Sequence, residues 1–122
     1  MIDPATFKNL RLRGGFTITD VEFTSEPIMD ALNREALAQT RINGTRFHIR
    51  LQAGMSEQEI SICPYHEVLE AATVASLRPP DSVIKFNEGD FERAAQTAHA
   101  QFGSVTPTSL NHLLQSYGFQ GE

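Results

Sequence analysis

Cysteine is almost absent. The chain of 122 residues has one, Cys63, so no internal disulfide can form, which fits a reducing compartment. Tryptophan is missing and there are 2 tyrosines, too few for the aromatic platform on which single-stranded nucleic acid stacks. Cations are outnumbered, with Lys+Arg 10 against Asp+Glu 15 and a formal net charge of −5. Phosphate backbones are bound by clustered Lys and Arg, so no nucleic acid partner is expected. The one basic stretch, Lys8, Arg11 and Arg13, alternates with Leu10 and Leu12 and reads as the wet face of a strand. Long hydrophobic runs are also lacking. The nearest, Val68 to Leu77, is broken by Glu70, Thr73 and Ser76 and falls far short of the roughly 20 residues of a membrane span. Met1 to Leu10 shows no basic stretch followed by an apolar one. No signal peptide and no membrane partner are therefore expected, and the expected location is cytoplasmic.

What remains is enough for a core. Apolar residues make up 40% and charged residues 20%, a balance that supports one folded domain over residues 1–122. The pattern predicts an α+β fold, a small antiparallel or mixed sheet with three to four helices. Asn9 to Phe23 alternates apolar and polar residues around Gly14-Gly15 and reads as strand, turn, strand. Ser25, Glu26 and Pro27 then look like a helix start, with Ile28, Met29, Leu32, Ala36 and Leu37 at helical spacing up to about Thr40. Asn43-Gly44 is a turn signal, and Phe47, Ile49 and Leu51 alternate with polar residues as a half-buried strand. This strand is expected in one mainly antiparallel sheet with Leu10 to Phe23. Ser56 and Glu59 form a capping box that opens a helix running through Leu77, which Pro64 should kink or restart. Val83 to Phe86 reads as a short extended piece. Asp90 is the expected cap of a helix ended by Gly103, and Thr106-Pro107 opens another that ends near Gly118.

The chemistry concentrates in Tyr65-His66-Glu67-Val68-Leu69-Glu70-Ala71. Residues four apart share a helix face, so His66 and Glu70 can reach one ion with a nitrogen and an oxygen ligand suited to Zn²⁺. The helix around them is apolar nearly all round, and ionisable groups on a buried helix need a partner, a metal or a cleft. The third-ligand candidates are Glu92 first, then His99 two turns along the same face, and Glu88 in the loop before that helix. His48 and His112 read as surface residues.

The strand Phe47 to Leu51, the run Met55-Ser56-Glu57-Gln58-Glu59, Tyr65-His66-Glu67, Glu92-Arg93-Ala94-Ala95, Phe102 and Leu110 to Leu114 follow one another in an order that resembles the catalytic core of the ImmA/IrrE-type metallopeptidases. The resemblance spans Asn43 to Phe119. It implies a zincin-like fold, His66 as a metal ligand, Glu67 as the general base, Glu92 as the third ligand, and a peptide or protein as partner. Glu70 stands where that family has histidine, and its Leu-Gly-His is absent. A histidine with two carboxylates cancels the ion's charge, so bound water is activated less and a carbonyl is polarised less. The substitution thus points to weak or lost hydrolysis more than to lost metal binding. A rival reading is a metal-free interaction or regulatory module in which His66, Glu67 and Glu70 form a polar cluster, with Arg93 as a partner.

Overall fold

The computed structural model describes residues 2–121. After a single 3₁₀ turn at Pro4–Phe7, the chain forms strands β1 (Leu10–Leu12), β2 (Phe16–Thr24), β3 (Ile28–Met29), β4 (Glu35–Ala36), β5 (Ala38–Asn43) and β6 (Arg46–Gln52). Helices α1 (Glu57–Ala75), α2 (Glu88–Phe102) and α3 (Pro107–Ser116) follow. The expected α+β class holds: three helices lie with a four-stranded mixed sheet in the order β1-β2-β6-β5, and β3-β4 forms a separate ribbon.

The strand pairing departs from the expected antiparallel arrangement at its centre. β1–β2 and β5–β6 are antiparallel, but β2 and β6 run parallel, with Ile18 opposite Phe47 and Val21 opposite Ile49. The reason lies in the segment between them. Residues 28–37 do not form the expected helix. Asp30 accepts hydrogen bonds from the backbone N–H groups of Leu32 and Arg34 through Oδ1 and an ion pair from Arg34 through Oδ2, while Asn33 takes φ +61°. A side chain that captures nearby N–H groups in this way competes with the helix and closes a turn instead. The chain is thus turned back as the β3–β4 ribbon, enters β5, and reaches β6 through Gly44-Thr45 as an antiparallel hairpin. That path leaves β6 beside β2 in the same direction. At the β1–β2 turn, Gly14 has φ +86°, and a Cβ there would lie 2.7 Å from the Phe16 ring, so the turn and the core aromatic require glycine together.

Phe47, Ile49 and Leu51 point to the helix side and are fully buried, with Ile18 and Val21 beside them. Against this layer α1 buries Tyr65, Val68, Leu69 and Ala72, while α2 adds Ala94, Ala95 and Ala98 and α3 adds Leu110, Leu113 and Leu114. α1 runs uninterrupted through Pro64 rather than restarting at Tyr65. Val83 to Phe86 is a series of turns instead of an extended piece, with Val83 and Ile84 both bonded to the Pro80 carbonyl. α2 starts earlier than expected. Asn87 is its cap and Asp90 closes the capping box from the third position, which places Glu88 inside the helix instead of in a loop. Among the described residues no helix is long and apolar enough to cross a membrane.

α1 and α2 pack antiparallel. Ser61, near the start of α1, meets His99 near the end of α2 at 2.9 Å, and the Val105 N–H donates to Ser61 Oγ at 3.0 Å. One turn on, the buried Tyr65 hydroxyl bonds Ser109 Oγ at 2.8 Å and the Gly103 carbonyl at 3.1 Å. These bonds tie the α2–α3 loop to α1. Tyr65→Phe keeps the ring and leaves the Gly103 carbonyl without this partner. Its unfolding free energy in urea is expected to fall by about 1–2 kcal/mol, and a variant as stable as the parent would show that the Tyr65 hydroxyl does not hold the loop.

Candidate metal centre

Four ionisable residues meet across the α1–α2 contact as two pairs with helical i, i+4 spacing. His66 and Glu70 come from α1, and Glu88 and Glu92 from α2. Their meeting follows from the cap at Asn87, because starting α2 at Glu88 puts Glu88 and Glu92 on one face, turned toward α1. The His66 ring is clasped from both ends. Its Nδ1 lies 2.8 Å from Glu92 Oε1, and its Nε2 lies 3.1 Å from Glu88 Oε2 and 3.6 Å from Glu70 Oε1. Phe91 closes one side of the ring, with centroids 6.3 Å apart. The histidine side chain is 13% exposed while that of Glu88 is 74% exposed, so the cluster opens outward through Glu88.

Glu67 stands behind this cluster. It is partly buried, and its Oε1 accepts a hydrogen bond from the Thr40 hydroxyl of β5 at 2.8 Å. One donor atom from each of His66, Glu67 and Glu70 lies within 4.8 Å of the other two. Glu67, Glu70 and Glu88 line one end of an open groove of about 620 Å³ between α1, β5 and the β3–β4 ribbon. Glu70 therefore stands at the wall of a concave site, whereas His66, 3.6 Å from it as their spacing predicts, lies beside the groove and does not line it. The remaining candidates lie elsewhere. His99 is engaged with Ser61, and Arg93 pairs with Asp90 instead of the cluster. Cys63 bonds Met55 Sδ at 3.9 Å, and burial, with the charges of Glu67, Glu92 and Glu59, pushes its thiol up to about 12, so it offers no thiolate. Thr40 is the site residue that periodicity missed, since it fell at the end of a helix that does not form. Glu88 carried a usable signal in Asn87-x-x-Asp90, a capping pair that starts the helix at Glu88 itself.

The electrostatics are those of one cation among four carboxylates. Burial opposes the charge on His66, but the hydrogen bonds its ring donates to Glu70 and Glu92 and the charges of Glu67 and Glu70 overcome it and raise the imidazole to about 9. Glu70 is held down by its bond to His66. Glu88 is raised to about 7, first by the hydrogen bond it shares with Glu70 and then by burial. Burial also raises Glu67, against the opposing bond from Thr40. In the metal-free chain the ring is thus an imidazolium at neutral pH, and Glu70 and Glu88 compete for a proton.

A stability profile follows. His66 goes from an ordinary 6.5 to about 9 and Glu88 from 4.5 to about 7 on folding. Between pH 4.5 and 9 the folded chain binds more protons than the unfolded one, so stability falls as pH rises. The His66 contribution is fully present below 6.5 and is lost as pH climbs through 9. Urea unfolding of the metal-free protein from pH 5 to 9 is expected to show this decline, and His66→Gln should flatten its upper half. A parent whose stability rises toward pH 9 would contradict the cluster's geometry.

Comparison with known proteins leaves this geometry to speak for itself: no family model, no curated protein and no solved structure matches the chain.

Proposed function

We propose that the chain is a metallopeptidase-like domain that binds one divalent ion, Zn²⁺, through His66 Nε2, Glu70 and Glu88, with hydrolysis weak or lost. One observation carries the reading. Nε2 faces two carboxylate oxygens, at 3.1 and 3.6 Å, while the other ring nitrogen is held by Glu92 at 2.8 Å. Donors bound at about 2.0–2.2 Å to a tetrahedral ion lie roughly 3.3–3.6 Å from one another, so the donor set fits with small adjustments. Glu92, expected as the third ligand, suits a different task on this reading. A carboxylate on Nδ1 fixes the proton there and turns Nε2 toward the metal.

Bound there, the ion supplies Lewis-acid polarisation of a substrate carbonyl. Glu67 holds a carboxylate at the groove with a pKa raised by burial, the condition a general base needs, and Thr40 fixes its orientation through the 2.8 Å bond. Glu70 and Glu88 cancel the charge of the ion, which limits that polarisation and accounts for weak or lost hydrolysis. The metal-free interaction module has one observation in its favour, namely that His66 is already satisfied as an imidazolium among Glu70, Glu88 and Glu92.

Elemental analysis of protein purified without added zinc, followed by zinc titration calorimetry, separates the two. One ion per chain is expected, with binding lost in His66→Ala, Glu70→Gln and Glu88→Gln. Affinity in Glu92→Gln should be weaker by about 10–100-fold, the usual cost of removing an orienting partner. Full affinity in Glu88→Gln with loss in Glu92→Gln would return Glu92 to the ligand set, and no uptake by the parent would establish the metal-free module.

A further inference from the structure

The outer face of the sheet gathers a charge that the metal centre leaves unused. Phe47, Ile49 and Leu51 of β6 turn toward the helices, so the alternate residues Arg46, His48 and Arg50 turn away from them. Register extends this face over the neighbouring strands. On β5, Arg41 stands opposite His48 and Asn43 opposite Arg46. On β2, Thr17 stands opposite Arg46, Asp20 opposite His48 and Glu22 opposite Arg50. Arg11 of β1 lies beyond Thr17. The four arginines come from three strands, and only the pairing of those strands brings them to one face.

The two ends of this face differ. At one end Glu22 answers the cations, with its Oε1 3.1 Å from His48 Nε2 and 3.4 Å from Arg50 Nε. At the other end Arg46 lies between Thr17 and Asn43, and neither offers a negative charge. Asp20 is turned to its own backbone, where Oδ1 accepts the Val21 N–H at 3.0 Å. Arg11, Arg41 and Arg46 are exposed and, among the described residues, pair with no carboxylate. Like charges held together on one sheet face without partners oppose its stability. In a chain of net charge −5, carboxylates to neutralise them are plentiful, yet none is placed there. The partner of this patch is therefore sought outside the chain.

The chemistry of the face restricts what it takes. None of these positions holds an aromatic or a large apolar residue, so nucleic acid bases have nothing to stack on. A bilayer or a duplex also spreads its negative charge wider than this face, where it meets the excess of carboxylates on the rest of the chain. A phosphoryl group is held best by donors that converge on one point. Here the backbones of Arg11 and Arg46 are two strands apart, about 10 Å, and Arg41 lies on the diagonal from Arg46, about 7–8 Å away. Separate carboxylates suit that spacing, since they recur about every 6.8 Å along one side of an extended chain.

We infer that the outer face of the sheet docks a segment of a partner protein rich in Asp and Glu, whose carboxylates pair with Arg11, Arg41 and Arg46. The docking does not depend on the metal reading, because this face lies across the sheet from α1 and His66. Charge complementarity of this kind selects the partner and speeds encounter, and salt weakens it.

Fluorescence anisotropy with a labelled decapeptide of alternating glutamate and serine tests the assignment, using metal-free protein in EDTA at low and at high salt. The parent is expected to bind the peptide at low salt and to release it as salt rises. Arg41→Gln with Arg46→Gln should weaken binding by about tenfold or more, and Arg11→Gln, on a different strand, by about threefold. Arg78→Gln with Lys85→Gln removes the same charge from exposed positions elsewhere and should leave binding within about twofold of the parent. All three variants should keep the parent's circular dichroism. Equal binding by the Arg41 and Arg46 variant or by Arg11→Gln, an equal loss in the Arg78 and Lys85 variant, or no binding by the parent would overturn the inference. So would phosphatidylserine vesicles, duplex DNA or a phosphoserine peptide that bind where the glutamate peptide does not. A parent that self-associates through this face, with assembly lost in the Arg41 and Arg46 variant, would also overturn it. Peptide binding by a parent that takes up no zinc would keep this inference and remove the metal reading.

Discussion

Helix α1 is covered by the sheet on one side and by α2 and α3 on others, and this burial decides where its charges can go. Tyr65, Val68, Leu69, Ala71 and Ala72 are all buried, so His66, Glu67 and Glu70 are confined to the strip that borders α2 and β5. Burying ionised groups without partners would cost several kcal/mol. The fold meets that demand from outside α1: α2 brings Glu88 and Glu92 to the ring of His66, and β5 brings Thr40 to Glu67. Among the described residues no buried side-chain polar atom is left without a hydrogen-bond partner. The cluster is thus as much a packing requirement as a chemical one, and small residues at Ala94, Ala95 and Ala98 let α2 come close enough to meet it.

That requirement is satisfied with an excess of one sign. Four carboxylates share one imidazolium, and Glu88 is raised by its hydrogen bond with Glu70, while burial raises Glu67. A divalent cation would relieve the same excess. On the proposed reading Glu92 has the same job with or without the ion, since it keeps a proton on Nδ1 in both states. Nε2 would give up its proton to hold the ion. On that reading the carboxylates that favour an ion would also reduce its Lewis acidity, so binding and weak hydrolysis would arise from one cause.

Much of this was legible in the sequence, and the rest was hidden for identifiable reasons. The hairpin turns at Gly14-Gly15 and Asn43-Gly44, the capping box at Ser56 and Glu59, and the i, i+4 relation of His66 and Glu70 depend on nearby residues, and each is present in the fold. Ile28, Met29, Leu32, Ala36 and Leu37 have helical spacing by coincidence. Four of them, all but Leu37, line the groove, and a single side chain, Asp30, overrides the pattern. The parallel pairing of β2 with β6 depends on that ribbon, so it was lost with it. By periodicity Glu88 reads as a ligand in a loop, whereas a capping pair at Asn87 and Asp90 draws it into α2. Periodicity reports which face is apolar, but capping decides where a helix begins, and here the difference of a few residues determines which glutamates face the histidine.

The central claim is that the two nitrogens of His66 have separate duties, Nδ1 to Glu92 and Nε2 to the ion. Long-range ¹H–¹⁵N correlation spectra of the histidine side chains, recorded at neutral pH through a zinc titration, read both nitrogens in one experiment. The account predicts an imidazolium, protonated on both nitrogens, that gives way at one equivalent of zinc to a neutral ring with its proton on Nδ1 and the metal on Nε2. A His66 ring that stays doubly protonated at saturating zinc, or that binds the ion through Nδ1, would contradict it.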